Sequence, residues 1–340
     1  MKHRMLFLGI VALLSVVARA EEKVIRIGII GCDTSHVPAF AKQFNDPKAS
    51  GDLAGFKVVV AYPGGSQDVE SSRTRVEKFT EDLRKMGVEI VQTIPELIGK
   101  CDVVLLESVD GRPHLEQARP VIEAKKRLFI DKPLAGSLAD AIKIAELAKA
   151  NGTPWFSSSS LRFGAGIVAL KNNPKVGEIV GADAWSPSPT EPHHPDLFWY
   201  GIHGVETLYA LMGPGCETVT RVQTGGGGGK EGGELVTGVW KGGRIGTFRG
   251  LRAGKEDYGA VVFGTKGIAT QLGFEGYKAL DEEIAKFFKT GVPPVAAEET
   301  SELMAFMEAA DESKRQGGKP VKISEVMGKA REEAGKRGGE

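Results

Sequence analysis

The chain has 340 residues, of which 41% are hydrophobic and 26% are charged, and this composition is that of a folded globular protein rather than a disordered one. Its 44 basic residues equal its 44 acidic ones, so charge gives no reason to expect a nucleic acid as partner and favours a small polar ligand. Three widely spaced cysteines specify neither a disulfide framework nor a zinc site, and we expect buried thiols.

The first twenty residues have the layout of a secretory signal. Lys2 and Arg4 precede an apolar run from Met5 to Val17, and a small-residue pattern ends at Ala20. The run is shorter than the roughly 20 apolar residues that span a bilayer, which favours cleavage after Ala20 over a membrane anchor. We therefore predict a Sec-type signal at residues 1–20, export to the periplasm or the exterior, and no membrane association after cleavage.

Residues 21–157 alternate short apolar strands with amphipathic helices. The predicted strands are VIRIGII, FKVVVAY, VEIV, DVVLLES, RLFI and PWFSSS. The helices predicted between them include PAFAKQF, VESSRTRVEKFTEDLRKMG, HLEQARPVIEAKK and SLADAIKIAELAKANG, the last with Ser137 as its cap and Gly152 as its stop. This rhythm predicts an α/β fold with a Rossmann-like doubly wound parallel sheet, whose ligands bind at the carboxyl ends of the strands.

The turn after the first strand, IGIIGCDTSH, is a dinucleotide-binding turn without its second and third glycines. The pattern G-x-G-x-x-G, started at Gly31, places Asp33 and His36 where a glycine and a small residue are usual. Gly28 and Gly31 preserve the strand and its tight turn. A carboxylate at Asp33 repels a phosphate and, as a helix cap, occupies the amides that a phosphate uses. The sequence therefore predicts weakened or rearranged dinucleotide binding.

The segment after the second strand, AYPGGSQ, contains no acidic residue before Asp68. An acid in this segment usually binds the adenosine ribose hydroxyls. An NADP preference would explain its absence, with Ser66 or Arg73 near the additional phosphate. An NADP preference does not explain Asp33.

Two further stretches carry residues suited to chemistry. In FIDKPLAGS, Lys132 follows the fifth strand and Pro133 restrains the backbone, so the lysine is predicted to project into the ligand crevice rather than to be an ordinary surface residue. In GIHGVE, His203 and Glu206 are three apart and share one helix face. A histidine beside a carboxylate can donate or accept a proton, although a helix-end histidine satisfied by its neighbours is the alternative.

Residues 158–330 have longer, glycine-punctuated strands. VGEIVGADAWS, GELVTGVWKGGRIGTFRGLR and YGAVVFGTKGIATQL predict antiparallel strands with hairpin turns at 242–243 and 266–267. The run Gly225–Gly229 is predicted to be a flexible loop rather than a phosphate cradle, because no Lys-Ser or Lys-Thr follows it. Residues 331–340 are predicted to be a flexible tail.

Over nearly its whole mature length the chain resembles the Gfo/Idh/MocA family of glucose-fructose oxidoreductases and inositol dehydrogenases, as a divergent exported member. The resemblance rests on the dinucleotide-fold rhythm, on HLEQARPVIEAKKRLFIDKP where the family has a histidine-led helix and Glu-Lys-Pro, and on GIHGVE where it has Gly-x-His-x-x-Asp. It implies a Rossmann-like NAD(P)-binding domain at 21–157 and a C-terminal α/β domain at 158–330 with an open, mainly antiparallel sheet. It also implies a carbohydrate or polyol substrate, NAD or NADP as cofactor, and a homo-oligomer. We expect no resident metal, because only short-range spacings support a set of ligands.

The resemblance implies roles for individual residues. Lys132 matches the family lysine that contacts substrate and nicotinamide, and His203 matches the histidine that transfers a proton, so these two are the predicted catalytic residues. The predicted cofactor-binding residues are Gly28, Gly31, Asp33, His36, Ser66, Ser108, His114 and Lys132. The predicted substrate-binding residues are Trp199, Tyr200, Glu206 and His194.

One departure from the family pattern supports a different class of function. Trp199 stands where the family has an aspartate that completes a proton relay, and an indole cannot accept a proton from a hydroxyl, although it can stack on a sugar ring. The alternative is a non-redox carbohydrate-binding protein, or a hydrolase or lyase, on the same scaffold. A metal ion would assist such an enzyme if its oxygen and nitrogen ligands came from Asp33, His36, His203, Glu206 and the HHPD run at 193–196.

Overall fold

The computed structural model describes residues 24–225 and 232–336. The predicted secretory signal, most of the predicted loop Gly225–Gly229 and the last four residues of the predicted tail lie outside the described residues. Within the two described ranges, no helix is both long enough and apolar enough to cross a membrane.

The first half of the chain forms a six-stranded parallel sheet, called sheet A. Its strands are β1 (Ile25–Ile30), β2 (Phe56–Tyr62), β3 (Glu89–Ile90), β4 (Val103–Leu106), β5 (Leu128–Ile130) and β6 (Trp155–Ser157). Their order across the sheet is β3-β2-β1-β4-β5-β6, which is the order of a doubly wound dinucleotide fold. The predicted Rossmann-like sheet is therefore confirmed, and all six predicted strands are present.

Six helices connect the strands of sheet A. They are α1 (His36–Phe44), α2 (Glu70–Arg73), α3 (Val76–Lys85), α4 (Ile94–Lys100), α5 (His114–Glu123) and α6 (Leu138–Asn151). The caps predicted for α6 are confirmed, because the Ser137 side chain accepts a hydrogen bond from the Asp140 N–H and Gly152 is left-handed. Helix α6 is thus defined at both ends by local sequence.

Two helix predictions need correction. The single helix predicted over residues 69–87 is two, because Ser72 in α2 is held toward the β1 turn: its Oγ donates to Asp33 and accepts from the Ser66 N–H. Helix α4 was not predicted. It is only seven residues long, too short for an apolar period to show, and the side chain of Thr93 caps it.

The second half forms a seven-stranded mixed sheet, called sheet B. Its strands are β7 (Ile179–Pro187), β8 (Cys216–Gln223), β9 (Gly233–Trp240), β10 (Ile245–Leu251), β11 (Gly259–Gly264), β12 (Ile268–Leu272) and β13 (Val321–Lys322). The order is β12-β11-β7-β10-β9-β8-β13, and β7 and β10 form its one parallel pair among the described residues. The predicted open, mainly antiparallel sheet is confirmed, including the hairpins β9–β10 and β11–β12.

The helices of the second half pack against both sheets. They are α7 (Ala165–Lys171), α8 (Asp196–Trp199), α9 (Ile202–Met212), α10 (Lys278–Thr290), α11 (Ala297–Arg315) and α12 (Ile323–Lys336). Helix α10 joins the core of sheet A, where Phe287 contacts Phe156 and Phe288 contacts Phe56. The two halves therefore share a core, and residues late in the chain reach the carboxyl edge of sheet A.

Helix α12 extends into the segment predicted to be a flexible tail. Residues 331–336 are helical, so the tail cannot begin at residue 331. Ala330 and Ala334 are buried in the main core, which explains why the last turns of the helix remain ordered.

Candidate functional site

A cavity of about 200 Å³ lies at the carboxyl edge of sheet A, where the two halves of the chain meet. Lys132, the second residue after β5, and His203, the second residue of α9, both line it. Trp199 and Tyr200 line it from the end of α8. The two predicted catalytic residues, far apart in sequence, therefore converge on one cavity together with two predicted substrate-binding residues.

Lys132 is buried at the wall of this cavity. Its ammonium lies 5.7 Å from the centre of the Tyr200 ring, and its backbone N–H donates to Asp131 Oδ1. A cation facing an aromatic ring at this distance is attracted by the π electrons. Lys132 and Tyr200 therefore hold each other in place at the cavity.

His203 is held by Ser159. Its Nδ1 lies 2.8 Å from Ser159 Oγ, and its Nε2 makes no hydrogen bond within the part of the chain that the structure describes. Burial, with the charges of Lys132 and His36, lowers the pKa of His203 well below its usual value. His203 is therefore a neutral imidazole at neutral pH, which is the form that accepts a proton.

Glu206 does not contact His203 as predicted. It is buried one turn further along α9, where its carboxylate accepts from Arg162 Nε at 2.7 Å, and Arg162 also binds Glu299. The buried guanidinium requires carboxylate partners, so Glu206 is used for structure and does not line the cavity. Its predicted role in substrate binding needs correction.

The β1 turn keeps one glycine that its geometry requires. Gly31 has φ +86°, and a Cβ at this position would lie 2.4 Å from the backbone nitrogen of Ser108. Only glycine allows the turns after β1 and β4 to approach so closely. The prediction that Gly31 preserves a tight turn agrees with this geometry.

Asp33 is not the helix cap that the sequence predicted. Its side chain is fully buried, with Oδ2 accepting from Ser72 Oγ at 2.6 Å and Oδ1 accepting from the Val109 N–H at 2.9 Å. The cap position of α1 is Ser35 instead. Burial raises the pKa of Asp33. Its carboxyl therefore joins the turn after β1 to the turn after β4 and to α2.

His36 contributes to the floor of the cavity. Its Nδ1 lies 2.7 Å from Asp131 Oδ2, its ring stacks on Phe40, and Tyr277 meets it edge-on. The His36 side chain therefore couples the start of α1 to the end of β5.

Gly28 and Ser66 have structural partners. A Cβ on Gly28 would lie 2.7 Å from Leu97 Cδ2, so the absence of a side chain at this position allows α4 to pack closely against β1. Ser66 Oγ donates to Asp110 Oδ2 at 2.6 Å. Neither residue lines the cavity.

Ser108 and His114 are likewise held by the protein. Ser108 Oγ donates to Gln117, and the two ring nitrogens of His114 lie 2.8 and 3.2 Å from the carbonyls of Ser108 and Leu134. Burial lowers the pKa of His114. Both residues shape the turn after β4 and neither lines the cavity.

His194 points away from the cavity, so its predicted contact with substrate needs correction. Its Nε2 lies 3.0 Å from Asp110 Oδ1 and its Nδ1 lies 2.8 Å from Glu191. Burial opposes ionisation of Asp110, but hydrogen bonds from His194, Arg112 and Ser66 lower its pKa overall. This network attaches the 191–196 loop of the second half to the turn after β4.

Three acidic residues near the cavity were not predicted as site residues from sequence. Glu107 is the first residue after β4, Asp131 is the first after β5, and Asp281 lies on α10. The position of Glu107 and Asp131 directly after buried strands was a usable signal. Asp281 gave none, because only the tertiary fold brings α10 to this edge.

Sequence comparisons identify relatives of the first half. Residues 25–158 match the family described as "Oxidoreductase family, NAD-binding Rossmann fold". A protein of Escherichia coli K12, the uncharacterized oxidoreductase YhhX, is 26% identical over 138 residues. That match spans 37% of this chain and 40% of the relative's length.

Solved structures resemble the chain over most of its length. A probable dehydrogenase from Thermotoga maritima superposes with a TM-score of 0.70 at 22% identity, covering 89% of this chain and 100% of that one. The myo-inositol dehydrogenase of Lactobacillus casei, in complex with NAD(H) and myo-inositol, gives 0.69 at 17% identity, covering 88% and 96%. The scyllo-inositol dehydrogenase of that organism, with NAD(H) and scyllo-inositol, gives 0.71 at 14% identity, covering 89% and 100%. At these identities the likeness establishes the fold.

Proposed function

We propose, from the premise that this chain belongs to the Gfo/Idh/MocA oxidoreductase family, that it interconverts a ring hydroxyl and a ketone on a carbohydrate or polyol with NAD or NADP. One observation carries the proposal: Lys132 and His203, from opposite halves of the chain, line the same cavity at the carboxyl edge of sheet A. Ligands of doubly wound sheets bind at this edge.

Two features of this edge are compatible with a bound dinucleotide: the tight turn after β1 and the position of Lys132. Gly31 lets the turns after β1 and β4 meet, and the Lys132 ammonium lies at the end of β5. Asp33 fits less well, because its carboxyl holds the Val109 N–H. Bound NAD would supply a hydride acceptor.

The protein's own residues provide the proton chemistry. His203 accepts the proton of the substrate hydroxyl at Nε2 while Ser159 fixes its ring through Nδ1. The Lys132 ammonium stabilises the negative charge that develops on the same oxygen. In the reverse direction, His203 returns the proton.

The cavity suits a single sugar or cyclitol ring. At about 200 Å³ it is smaller than the roughly 300–1,000 Å³ of pockets that enclose drug-sized ligands. Trp199 and Tyr200 offer aromatic faces on which the C–H groups of such a ring pack. We therefore propose a cyclic polyol or monosaccharide as substrate.

Cofactor titration is the first test. Purified protein should quench or enhance the fluorescence of NADH or NADPH with a Kd in the micromolar range. The same protein should then oxidise or reduce at least one member of a panel of inositols and monosaccharides. Absence of binding at millimolar cofactor would remove the redox proposal.

Replacing Asp33 should change cofactor affinity and stability in opposite directions. Asp33→Gly frees the Val109 N–H and removes a carboxyl from behind the turn that would hold the phosphates, so we expect binding to tighten by about tenfold. It also removes the bonds to Ser72 and Val109, so the free energy of unfolding should fall by about 1–3 kcal/mol. Titration and urea denaturation measure the two effects. Equal Kd values for the parent, Asp33→Gly and Asp33→Asn would contradict the expectation.

The position of Asp33 also supports a second candidate function that needs no dinucleotide. Because Asp33 bridges the turns that usually hold the pyrophosphate, a carbohydrate-binding protein or a lyase without dinucleotide is the competing candidate. It predicts a thermal shift with sugars but none with NAD(P). Loss of the sugar response in Trp199→Ala would support stacking, and an unchanged response would exclude it.

The buried His203 should make the protein sensitive to acid. Its folded pKa lies below the unfolded value of about 6.5, so below that pH the unfolded chain binds a proton that the folded chain does not. The free energy of unfolding should therefore fall by up to about 1.4 kcal/mol per pH unit below about pH 6.5. His203→Gln should reduce this slope, whereas His193→Gln, whose side chain is 38% exposed, should not. Equal slopes in the parent and both variants would show that His203 does not cause the loss of stability in acid.

A further inference from the structure

Three buried side chains with metal-binding chemistry converge beneath the cavity. His36 begins α1, Glu107 follows β4 and Asp131 follows β5, and one ligand atom from each lies within 4.8 Å of those of the others. All three residues are at most 7% exposed. The carboxyl ends of neighbouring parallel strands create this convergence.

Glu107 has no partner in this cluster. It is 0% exposed, and neither of its carboxyl oxygens makes a hydrogen bond among the described residues. Asp281 is also 0% exposed, and neither of its carboxyl oxygens makes a hydrogen bond among the described residues. It interacts electrostatically with Glu107. Isolated buried carboxylates are costly, so such groups are normally paired or bound to a cation.

The hydrogen bonds of the described residues leave two of these acids without a partner. Asp131 is paired with His36, whose Nδ1 lies 2.7 Å from its Oδ2, whereas no described residue donates to the carboxyl oxygens of Glu107 or Asp281. A divalent ion would give Glu107 the partner that it lacks.

We propose that His36, Glu107 and Asp131 bind a divalent transition-metal ion such as Zn²⁺ or Mn²⁺. The imidazole nitrogen favours Zn²⁺ over Mg²⁺ and Ca²⁺, and the two carboxylates are ligands that Mn²⁺ also accepts. His36 Nδ1 and Asp131 Oδ2 share a hydrogen bond at 2.7 Å, and an ion about 2.1 Å from each would replace the shared proton and widen their separation to about 3.0–3.4 Å. This site is independent of the proposed oxidoreductase activity.

The position of the ion gives it a role at the cavity. His36 and Lys132 both line the cavity, so the ion would lie directly beneath its floor. A positive charge there offsets the carboxyl groups of Glu107 and Asp131 at this edge. The site differs from the set considered from sequence, because Asp33 and Glu206 are bound to other partners.

Metal binding to the full chain tests the site directly. Chelator-treated protein should bind one Zn²⁺ or Mn²⁺ per chain in equilibrium dialysis with elemental analysis, and its Tm should rise. Glu107→Gln and His36→Gln should each weaken binding by about 100-fold or more. Glu116→Gln, an exposed carboxyl on α5, should bind as the parent does.

The variants also separate loss of a ligand from loss of folding. In chelator, Glu107→Gln should unfold at or above the Tm of the parent, because an amide is less costly than a carboxylate at an unpaired buried position. If this variant does not fold, His36→Gln and the absorption spectrum of Co²⁺ bound to the parent decide the question. Absence of stoichiometric binding of Zn²⁺, Mn²⁺ and Co²⁺ by the parent would overturn the proposal, as would parent-like affinity in whichever of the two variants fold.

Discussion

Replacing Lys132 by methionine should lower kcat/KM for the proposed substrate by about a thousandfold. The ammonium is buried at the cavity, opposite the Tyr200 ring. Methionine has no positive charge with which to stabilise the negative charge that develops on the substrate oxygen. The loss should fall mainly on kcat, because the aromatic faces of Trp199 and Tyr200 still bind the substrate ring. Steady-state kinetics on the polyol that gives the highest rate measures the effect.

The cofactor and a surface lysine provide the controls for this variant. NAD binding by Lys132→Met should change by less than about tenfold, since the adenosine and phosphates would bind nearer to β1 and β2. Lys85→Met, at the exposed end of α3, should keep the parent's kinetics. A Lys132→Met enzyme with at least a tenth of the parent's kcat would show that Lys132 is not a catalytic residue.

Replacing Arg221 by methionine should lower the free energy of unfolding by about 3–5 kcal/mol. Its fully buried guanidinium donates to Asp311 and Glu234 and lies 3.0 Å from Asp196. Removing it leaves buried carboxylates without their main partner, and this costs more than the ion pairs themselves contribute. Arg252 would partly compensate, because it also donates to Glu234.

Urea denaturation compares this variant with a matched one. Arg249→Met, on the exposed side of β10, should change the free energy of unfolding by less than about 0.5 kcal/mol. The double replacement Arg221→Met with Asp311→Leu should recover part of the loss, because it removes one stranded charge. An Arg221→Met protein as stable as Arg249→Met would show that this buried network contributes little.

The elements of the fold were readable from local sequence. Six strands of sheet A were predicted from apolar runs of four to seven residues, and the caps of α6 were predicted from Ser137 and Gly152. Local signals suffice for these features, because burial of a strand and capping of a helix depend on neighbouring residues. Short elements such as α4 and β13 were missed, because they contain too few residues for a period.

The hydrogen-bond partners of the site residues could not be predicted from local sequence. His203 was expected beside Glu206, yet Ser159 holds it, because Arg162 takes the carboxylate of Glu206. His194 was expected at the substrate and is bound to Asp110 instead. These partners come from the segments after β6 and β4, which are far along the chain from His203, Glu206 and His194, and spacing along the chain carries no information on such contacts.

The sequence by itself determined the doubly wound sheet and pointed to Lys132 and His203, two of the residues that line the cavity. Those features depend on local patterns and on motifs within a few residues. Only the tertiary structure decided that Asp33 turns inward to join two loops, and that Glu107 lies buried beside His36 and Asp131 with no hydrogen-bond partner among the described residues. The reason is physical: burial and pairing of a charged group depend on which distant segments the fold brings to the same edge.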